Sequence, residues 1–109
     1  MTDHSDIISS VRKSAAKSII YLPHAVRQMS RPDRMISVAE IRNVVERGEL
    51  VEDYSQDVRG HSCLILGYGM GGTPIHVVCS PNSDYLAIIT AYIPNLEEWE
   101  YGYKRRKKR

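Results

Sequence analysis

This 109-residue chain contains several residues whose types could do chemistry. They include two of its four histidines, several arginines and a pair of hydroxyl-bearing side chains. His24 and His76 can each take up or release a proton near neutral pH, since the pKa of a free imidazole lies there. With a nearby cation and hydroxyls, such a pair provides what metal-free RNA cleavage requires. One group takes the proton of the ribose 2′-OH, another protonates the leaving 5′-oxygen, and positive charge stabilises the transition state.

His76 lies in the apolar, β-branched run Thr73–Ser80, where a titratable ring has no packing reason to be. A similar run, Leu86–Ile93, follows after a cluster of turn residues, and this pattern predicts a β-hairpin at the centre of a sheet. We expect His76 to be functional because a second His–Arg cluster is present to pair with it. The structural alternative is a core histidine whose ring nitrogens are both satisfied.

The register of this hairpin decides which side chains stand beside His76. If Ser80 pairs with Leu86, His76 lies opposite Thr90 and diagonal to Tyr92, so an imidazole, a hydroxyl and a phenol converge on one face. A slip of one residue would remove that convergence. For Thr90 and Tyr92 the structural alternative is β-propensity alone.

The other histidine belongs to a short helix, predicted to begin at Pro23 and to stop before Pro32. The polar stripe of this helix, at positions i, i+3, i+4 and i+7, consists of His24, Arg27, Gln28 and Arg31. His24 falls in the first turn, near the positive end of the helix dipole. A helix-cap role is the structural alternative for His24.

Periodicity and turn residues predict one α+β domain over residues 1–103, in which N-terminal helices pack on a twisted antiparallel sheet of about four strands. Helices are predicted over residues 3–18, 23–31 and 37–47, the main strands over residues 50–54, 62–68, 73–80 and 86–93, and a short strand over residues 19–22. Gly48 is the predicted C-cap of the third helix. Residues 96–103 are expected to form a final helical turn.

Three local motifs are read as structural. Asp3 or Ser5 can cap the first helix. Ser37 and Glu40 form a capping box at the start of the third helix. The run Gly67–Gly72 reads G-x-G-x-x-G, but a dinucleotide site needs a helix directly after the glycines, whereas here a β-branched run follows. The glycines are therefore interpreted as hairpin turn residues.

The charge of the chain is unevenly distributed. The net charge is +2, and six of the fifteen basic residues form the final run 104–109. Residues 1–103 therefore carry nine basic and thirteen acidic side chains, a net charge of −4. A tail of this kind is typically a solvated, disordered arm that binds nucleic acid or an acidic protein, and its alternative role is solubility.

Several classes of protein are disfavoured by the composition. No apolar run reaches the length of a transmembrane helix, and the polar N-terminus is not a secretory signal. Cys63 and Cys79 lie in apolar strand-like runs, as buried reduced thiols of a cytoplasmic protein do. No Cys/His spacing is typical of a zinc site, so no metal and no cofactor is predicted.

Five segments together resemble a known family. They are His24-Ala25-x-x-x-Met29, the segment from Ile36-Ser37 through Gly48 to Tyr54, Cys63-Leu-Ile-Leu-Gly, Pro74-Ile-His76-Val-Val, and Ile89-Thr90-Ala-Tyr92-Ile-Pro94. In order and spacing they resemble the bacterial domain of unknown function four-two-five-eight over roughly residues 7–99. The family usually has arginine where this chain has Gln28, and Arg27 lies one residue earlier. That departure places the family's arginine contact in question.

The resemblance implies a fold and an activity. The family is similar to the RelE/ParE-like plasmid toxins, many of which are metal-independent endoribonucleases neutralised by an antitoxin. Its members often neighbour a small zinc-finger antitoxin gene, so the implied partners are RNA and such an antitoxin. The family positions carried over to this chain are His24, His76, Thr90 and Tyr92.

Two hypotheses follow for the function. In the first, the chain is an RNA-cleaving toxin in which His24 and His76 are the acid/base pair and Arg27 or Arg31 contacts phosphate. Thr90 and Tyr92 then position the substrate, and the RNA-docking cations are Arg31, Lys104, Arg105, Arg106 and Lys107. In the second, the chain is a non-catalytic module that binds nucleic acid or protein through its basic tail, and both histidines are structural.

Overall fold

The computed structural model describes residues 4–58 and 60–108, with side chains from residue 7 onward. The helices and strands follow the order α1 (His4–Lys17), β1 (Ile19–Tyr21), α2 (Pro23–Met29), α3 (Val38–Arg47), β2 (Glu49–Tyr54), β3 (Ser62–Tyr68), β4 (Pro74–Pro81) and β5 (Leu86–Tyr92). The α+β class is confirmed. The predicted caps of α1, Asp3 and the Ser5 side chain, lie outside the described part of the chain.

The strands form one sheet in the order β1–β5–β4–β3–β2. Strands β2 to β5 pair antiparallel with their neighbours in sequence. β1 instead pairs parallel with β5, with Ile19 beside Leu86 and Tyr21 beside Ile88. The expected antiparallel sheet of about four strands is thus corrected to a mixed sheet of five. The short β1 joins it because a β-branched segment gains backbone hydrogen bonds on the otherwise free edge of β5.

The helices α1 and α3 cover one face of this sheet and bury the main core there. The core side chains of these helices and of the strands beneath them are Ile7, Val11, Ala15, Ile41, Val44, Val45, Cys63, Ile65, Ile75, Val77, Cys79, Leu86 and Ile88. Cys63 and Cys79 are paired across β3 and β4 as buried free thiols. None of the helices in the described part of the chain is long and apolar enough to cross a membrane.

The helix α2 lies along one edge of β5, beyond the point where β1 ends. The N–H of Leu22 donates to the carbonyl of Ile88 at 3.0 Å, and α2 begins at the next residue, Pro23. Beyond Ile88, β5 therefore has a helix at this edge and not a strand. The second half of β5 and one face of α2 become the two walls of a cleft.

A β-bulge in β5 changes the predicted register of the hairpin. Pro81 pairs with Leu86, whereas His76 pairs with Tyr92, and the register shifts between Val78 and Cys79 on β4. The expected pairing of Ser80 with Leu86, and of His76 with Thr90, is wrong. Two shifts of one residue add up: Pro81 and not Ser80 pairs with Leu86 at the turn, and the bulge then adds one residue to β5 between Ile88 and Thr90. His76 consequently stands directly opposite Tyr92.

Two predicted local motifs of helix and turn are confirmed. The Glu40 N–H donates to Ser37 Oγ at 3.1 Å, and the Ser37 N–H donates to Glu40 Oε1 at 3.0 Å, which completes the capping box. The glycines after β3 form a tight 3₁₀ turn, in which Gly71 (φ +69°) and Gly72 (φ +77°) adopt left-handed conformations that suit glycine. They are hairpin turn residues, as predicted.

The opposite face of the sheet is covered by residues 95–107, here called the C-terminal clasp. It begins with a turn in which Asn95 Oδ1 accepts two backbone N–H groups, at 2.9 and 3.0 Å. Trp99 then pairs with Arg106 as an antiparallel bridge and is only 2% exposed. The expected final helical turn is therefore a capped turn that leads into a closed loop.

Residues 104–107 of the basic run belong to this clasp and pack against the sheet, where a solvated arm was expected. Arg106 donates to Glu52 on β2 twice, from Nε at 2.9 Å and from Nη2 at 3.1 Å. Lys104 Nζ lies 3.3 Å from a carboxylate oxygen of Glu49 on the same strand. Opposite charges on the edge strand thus hold the run against the sheet.

Candidate functional site

A polar cleft lies between α2 and the second half of β5, and it has a volume of about 370 Å³. From α2 it is lined by His24 and Gln28, and Arg31 lines it from the segment after the helix, which ends at Met29 and not before Pro32 as predicted. From β5 it is lined by Thr90 and Tyr92. We call it the α2–β5 cleft. It brings together four of the residues that the sequence nominates for chemistry.

A third side of the α2–β5 cleft comes from residues that the sequence did not single out. Arg34 lines it and donates from Nη1 to the carbonyl of Ile93 at 3.2 Å. Asp33 lies between Arg31 and Arg34, 3.5 and 3.6 Å from their Nε atoms. Arg34 is hard to predict from sequence, because it lies outside any helical or strand periodicity. The turn after Pro32 places it beside the cleft.

The clasp contributes the far wall of the α2–β5 cleft. Asn95 and Glu98 line it there, and Glu98 is the one carboxylate among the lining residues in the described part of the chain. One imidazole, two guanidinium groups and one carboxylate therefore face the same space. This set can bind a phosphate and can also exchange protons with groups attached to it.

His76 lies behind the wall of the cleft and does not line it. Its side chain is 0% exposed and packs edge-on against Tyr92 and Trp99, with ring centroids 5.2 and 4.5 Å away. The Tyr103 carbonyl lies 2.8 Å from Nε2, and the Tyr92 hydroxyl lies 3.1 Å from Nδ1. These contacts fit the structural alternative for His76, a core histidine with both nitrogens satisfied.

The hydrogen bonds of His76 define the proton that the ring carries. A carbonyl can only accept, so Nε2 must donate to Tyr103, and in the neutral ring Nδ1 accepts from the Tyr92 O–H. Burial also lowers the pKa of His76 below its usual value. A neutral ring that cannot contact solvent does not transfer protons to a bound substrate.

Tyr92 links this buried ring to the cleft. It pairs with His76 across the strands, donates its hydroxyl proton to His76 and lines the cleft. Burial raises the pKa of the Tyr92 phenol, so the hydroxyl remains protonated at neutral pH. Since its proton is engaged by His76, the oxygen is free to accept a hydrogen bond from the cleft side.

The other nominated cations lie away from the cleft. Arg27 is exposed on α2 but does not line the cleft. Lys104 and Arg106 pair with carboxylates of β2, while Arg105 and Lys107 are exposed on the clasp. Among the described residues, no three His, Cys, Asp or Glu side chains are grouped closely enough to hold a metal ion.

The fold and the cleft define a small α+β domain with a polar, largely basic cleft beside the edge of a mixed sheet. A family model matches residues 21–93, from the end of β1 to the residue after β5. The chain therefore belongs to the family described as Domain of unknown function (DUF4258). No curated protein and no solved structure matches it.

Proposed function

We propose that the α2–β5 cleft binds RNA and cleaves it without a metal ion, and that the chain acts as the toxin of a bacterial toxin–antitoxin pair. The observation that supports the chemistry is the convergence of His24, Arg31, Arg34, Tyr92 and Glu98 on one cleft. The toxin role is supported by the resemblance to RelE/ParE-like proteins. On this proposal the protein works in the cytoplasm and is neutralised by an antitoxin, possible partners including a zinc-finger protein.

Each group of the cleft has a definite task in the proposed reaction. The Glu98 carboxylate takes the proton of a ribose 2′-OH, and the 2′-oxygen attacks the adjacent phosphorus. The bond from phosphorus to the 5′-oxygen breaks, and the His24 imidazolium protonates that oxygen. Arg31 and Arg34 offset the charge of the transition state. The products are a 2′,3′-cyclic phosphate and a 5′-hydroxyl.

Tyr92 and Thr90 hold the substrate in this scheme. The Tyr92 oxygen can accept a hydrogen bond from the ribose, because its own proton is directed to His76. Thr90, half-buried on the same wall, can donate or accept through its hydroxyl. His76 is therefore a positioning residue for Tyr92 in place of the acid or base that its sequence context suggests.

The second hypothesis, a non-catalytic module that acts through its basic tail, has weaker support. Two of its cations, Lys104 and Arg106, are already paired with Glu49 and Glu52. Release of these pairs would offset part of any gain from phosphate contacts.

Cleavage of a short RNA in EDTA tests the proposed function. We expect the wild type to produce a 2′,3′-cyclic phosphate, and we expect no product from an RNA with 2′-deoxyribose at the cleaved position, which lacks the nucleophile. His24→Ala and Glu98→Gln should each reduce cleavage by roughly 10²-fold or more, since each removes one proton-transfer group.

A matched control for loss of surface charge is Lys13→Ala. Lys13 is exposed on α1 and lies outside the α2–β5 cleft, so this variant should cleave as the wild type does. Intact RNA after incubation with folded wild-type protein, together with unimpaired growth of bacteria that express it, would contradict the proposal.

A further inference from the structure

The C-terminal clasp touches the α2–β5 cleft through a continuous series of side chains that begins at the far edge of the sheet. Arg106 binds Glu52 on β2 through two parallel hydrogen bonds, and its guanidinium lies 4.7 Å from the centroid of the Trp99 ring. Trp99 also packs edge-on against His76, with ring centroids 4.5 Å apart and 81° between the ring planes. Trp99 thus contacts both a guanidinium and an imidazole.

The clasp also determines which nitrogen of His76 is protonated. Tyr103 has φ +61°, and its carbonyl accepts the Nε2 proton of His76 at 2.8 Å. That contact leaves Nδ1 as an acceptor, which receives the Tyr92 hydroxyl proton. Without the Tyr103 carbonyl, the His76 proton could reside on either nitrogen, and Tyr92 would lose its fixed acceptor.

The Arg106–Glu52 pair attaches the clasp to the sheet through two parallel hydrogen bonds. Its two-point geometry orders a guanidinium better than a single contact does, and the ring of Trp99 adds a cation–π contact. The hydrogen bond from Arg106 lowers the pKa of Glu52, so the carboxylate stays ionised at neutral pH. By contrast, Lys104 contacts Glu49 at 3.3 Å as a point charge and has no ring beside it.

We propose that Arg106 and Glu52 are positioning residues for the α2–β5 cleft, acting through Trp99 and His76 on the Tyr92 hydroxyl. This inference rests on the proposed function of that cleft and adds to it a dependence on the clasp. The clasp lies outside residues 21–93, which the family model covers. The closed clasp fixes His76, and the fixed ring presents the Tyr92 oxygen to the substrate. An open clasp leaves the cleft with a misdirected Tyr92.

The test combines NMR of the free protein with RNA cleavage kinetics. In ¹⁵N-histidine-labelled wild type, the Nε2 proton of His76 should exchange slowly with water, because it is buried and hydrogen-bonded. Arg106→Gln and the nearly isosteric Glu52→Gln should each accelerate this exchange several-fold. Both should lower kcat for RNA by about tenfold with a smaller change in KM, since misdirected groups affect the reaction more than binding.

Two control variants separate positioning from loss of charge. Lys104→Gln removes one positive charge from the same clasp and should leave the exchange of the His76 proton unchanged. Arg42→Gln breaks the Arg42–Glu46 pair of 3.1 Å on α3 and should leave both exchange and kcat unchanged. Circular dichroism verifies that all four variants are folded.

The outcomes discriminate between the two proposals. Unchanged exchange in both Arg106→Gln and Glu52→Gln overturns the positioning role, whatever the activity. Faster exchange with unchanged kcat also overturns it. Because exchange is measured without RNA, an inactive wild type in which both variants still accelerate exchange contradicts the proposed cleavage and supports the coupling between the clasp and His76.

Discussion

Burial favours the neutral form of the His76 imidazole, in which Nε2 donates to the Tyr103 carbonyl and Nδ1 accepts from the Tyr92 hydroxyl. Protonation would place a second N–H opposite the Tyr92 hydroxyl and bring a charge into a space shared with Trp99. Both effects favour the neutral ring. The largest cause of the lowered pKa of His76 is its burial. At this scale His76 acts through the groups that it orients.

The lowered pKa of His76 predicts a pH-dependent stability. In the unfolded chain the ring titrates near 6.5, and in the folded protein it titrates lower. The stabilising contribution is therefore complete above pH 6.5 and decreases as the pH falls toward the folded-state pKa. The hydrogen bond to the Tyr103 carbonyl and the charge of Glu52 oppose this lowering of the His76 pKa, and Arg106 adds to it. The slope is at most about 1.4 kcal/mol per pH unit for one proton.

Urea unfolding between pH 7.5 and 5 measures this slope. His76→Gln should be less stable than the wild type at pH 7.5 and should lose most of the dependence in this range. The control is His24→Gln, at an exposed position of α2, which should retain the pH dependence of the wild type. An equal slope in the wild type and in His76→Gln would contradict a neutral, buried His76.

Sequence alone could identify part of the cleft residue by residue. The predicted polar stripe of the second helix identified His24 and Arg31, although the helix ends at Met29 and Arg31 reaches the cleft from the segment that follows. Alternation along β5 predicted that Tyr92 lies on the same face as His76, but the predicted register did not include the bulge. The partner of Nε2 was beyond prediction, because Tyr103 reaches His76 from 27 residues away through a loop.

At the scale of elements, the cleft exists because β1 is short and β5 is bulged. β1 ends at Tyr21, so α2 and not a strand lies along Thr90 and Tyr92. The bulge turns these two residues away from the core that contains Leu86 and Ile88. Strand positions could be predicted from β-branched runs, whereas a bulge depends on tertiary packing that a single sequence does not encode locally.

The junction of α3 and β2 gives a stability prediction at this scale. Gly48 was expected as a C-cap, and it is one, but its φ of −74° suits any residue. Its importance lies in a close approach: an added Cβ would lie 2.5 Å from the carbonyl oxygens of Val44 and Leu66. Gly48→Ala should therefore destabilise the protein by more than about 2 kcal/mol.

The comparison is with Gly71→Ala in the turn before β4. Gly71 has a positive φ and no atoms close to an added Cβ, so only backbone strain of about 1 kcal/mol is expected. Thermal and urea unfolding of both variants give the difference. A Gly71→Ala variant less stable than Gly48→Ala would contradict the packing assigned to this junction.

At the scale of the whole molecule, folding brings the acidic and basic parts of the chain into contact. The acidic body and the basic terminal run meet where Glu49 and Glu52 bind Lys104 and Arg106. The uneven charge could be seen in the sequence, but the ion pairs between the basic run and β2 could not. Low hydropathy and high charge are equally typical of a free arm. Beside the polar cleft, Arg31 and Arg34 share the single carboxylate of Asp33, so these three groups keep one net positive charge there.

The measurement that tests the central claim most directly is the location of bound RNA. A 2′-O-methyl oligonucleotide, which has no 2′-OH to react, is titrated into labelled wild-type protein and followed by NMR. We predict the largest shifts at His24, Arg31 and Tyr92, with smaller ones along residues 104–108. Shifts confined to residues 104–108, with the α2–β5 cleft unperturbed, would contradict the account and favour binding through the basic run.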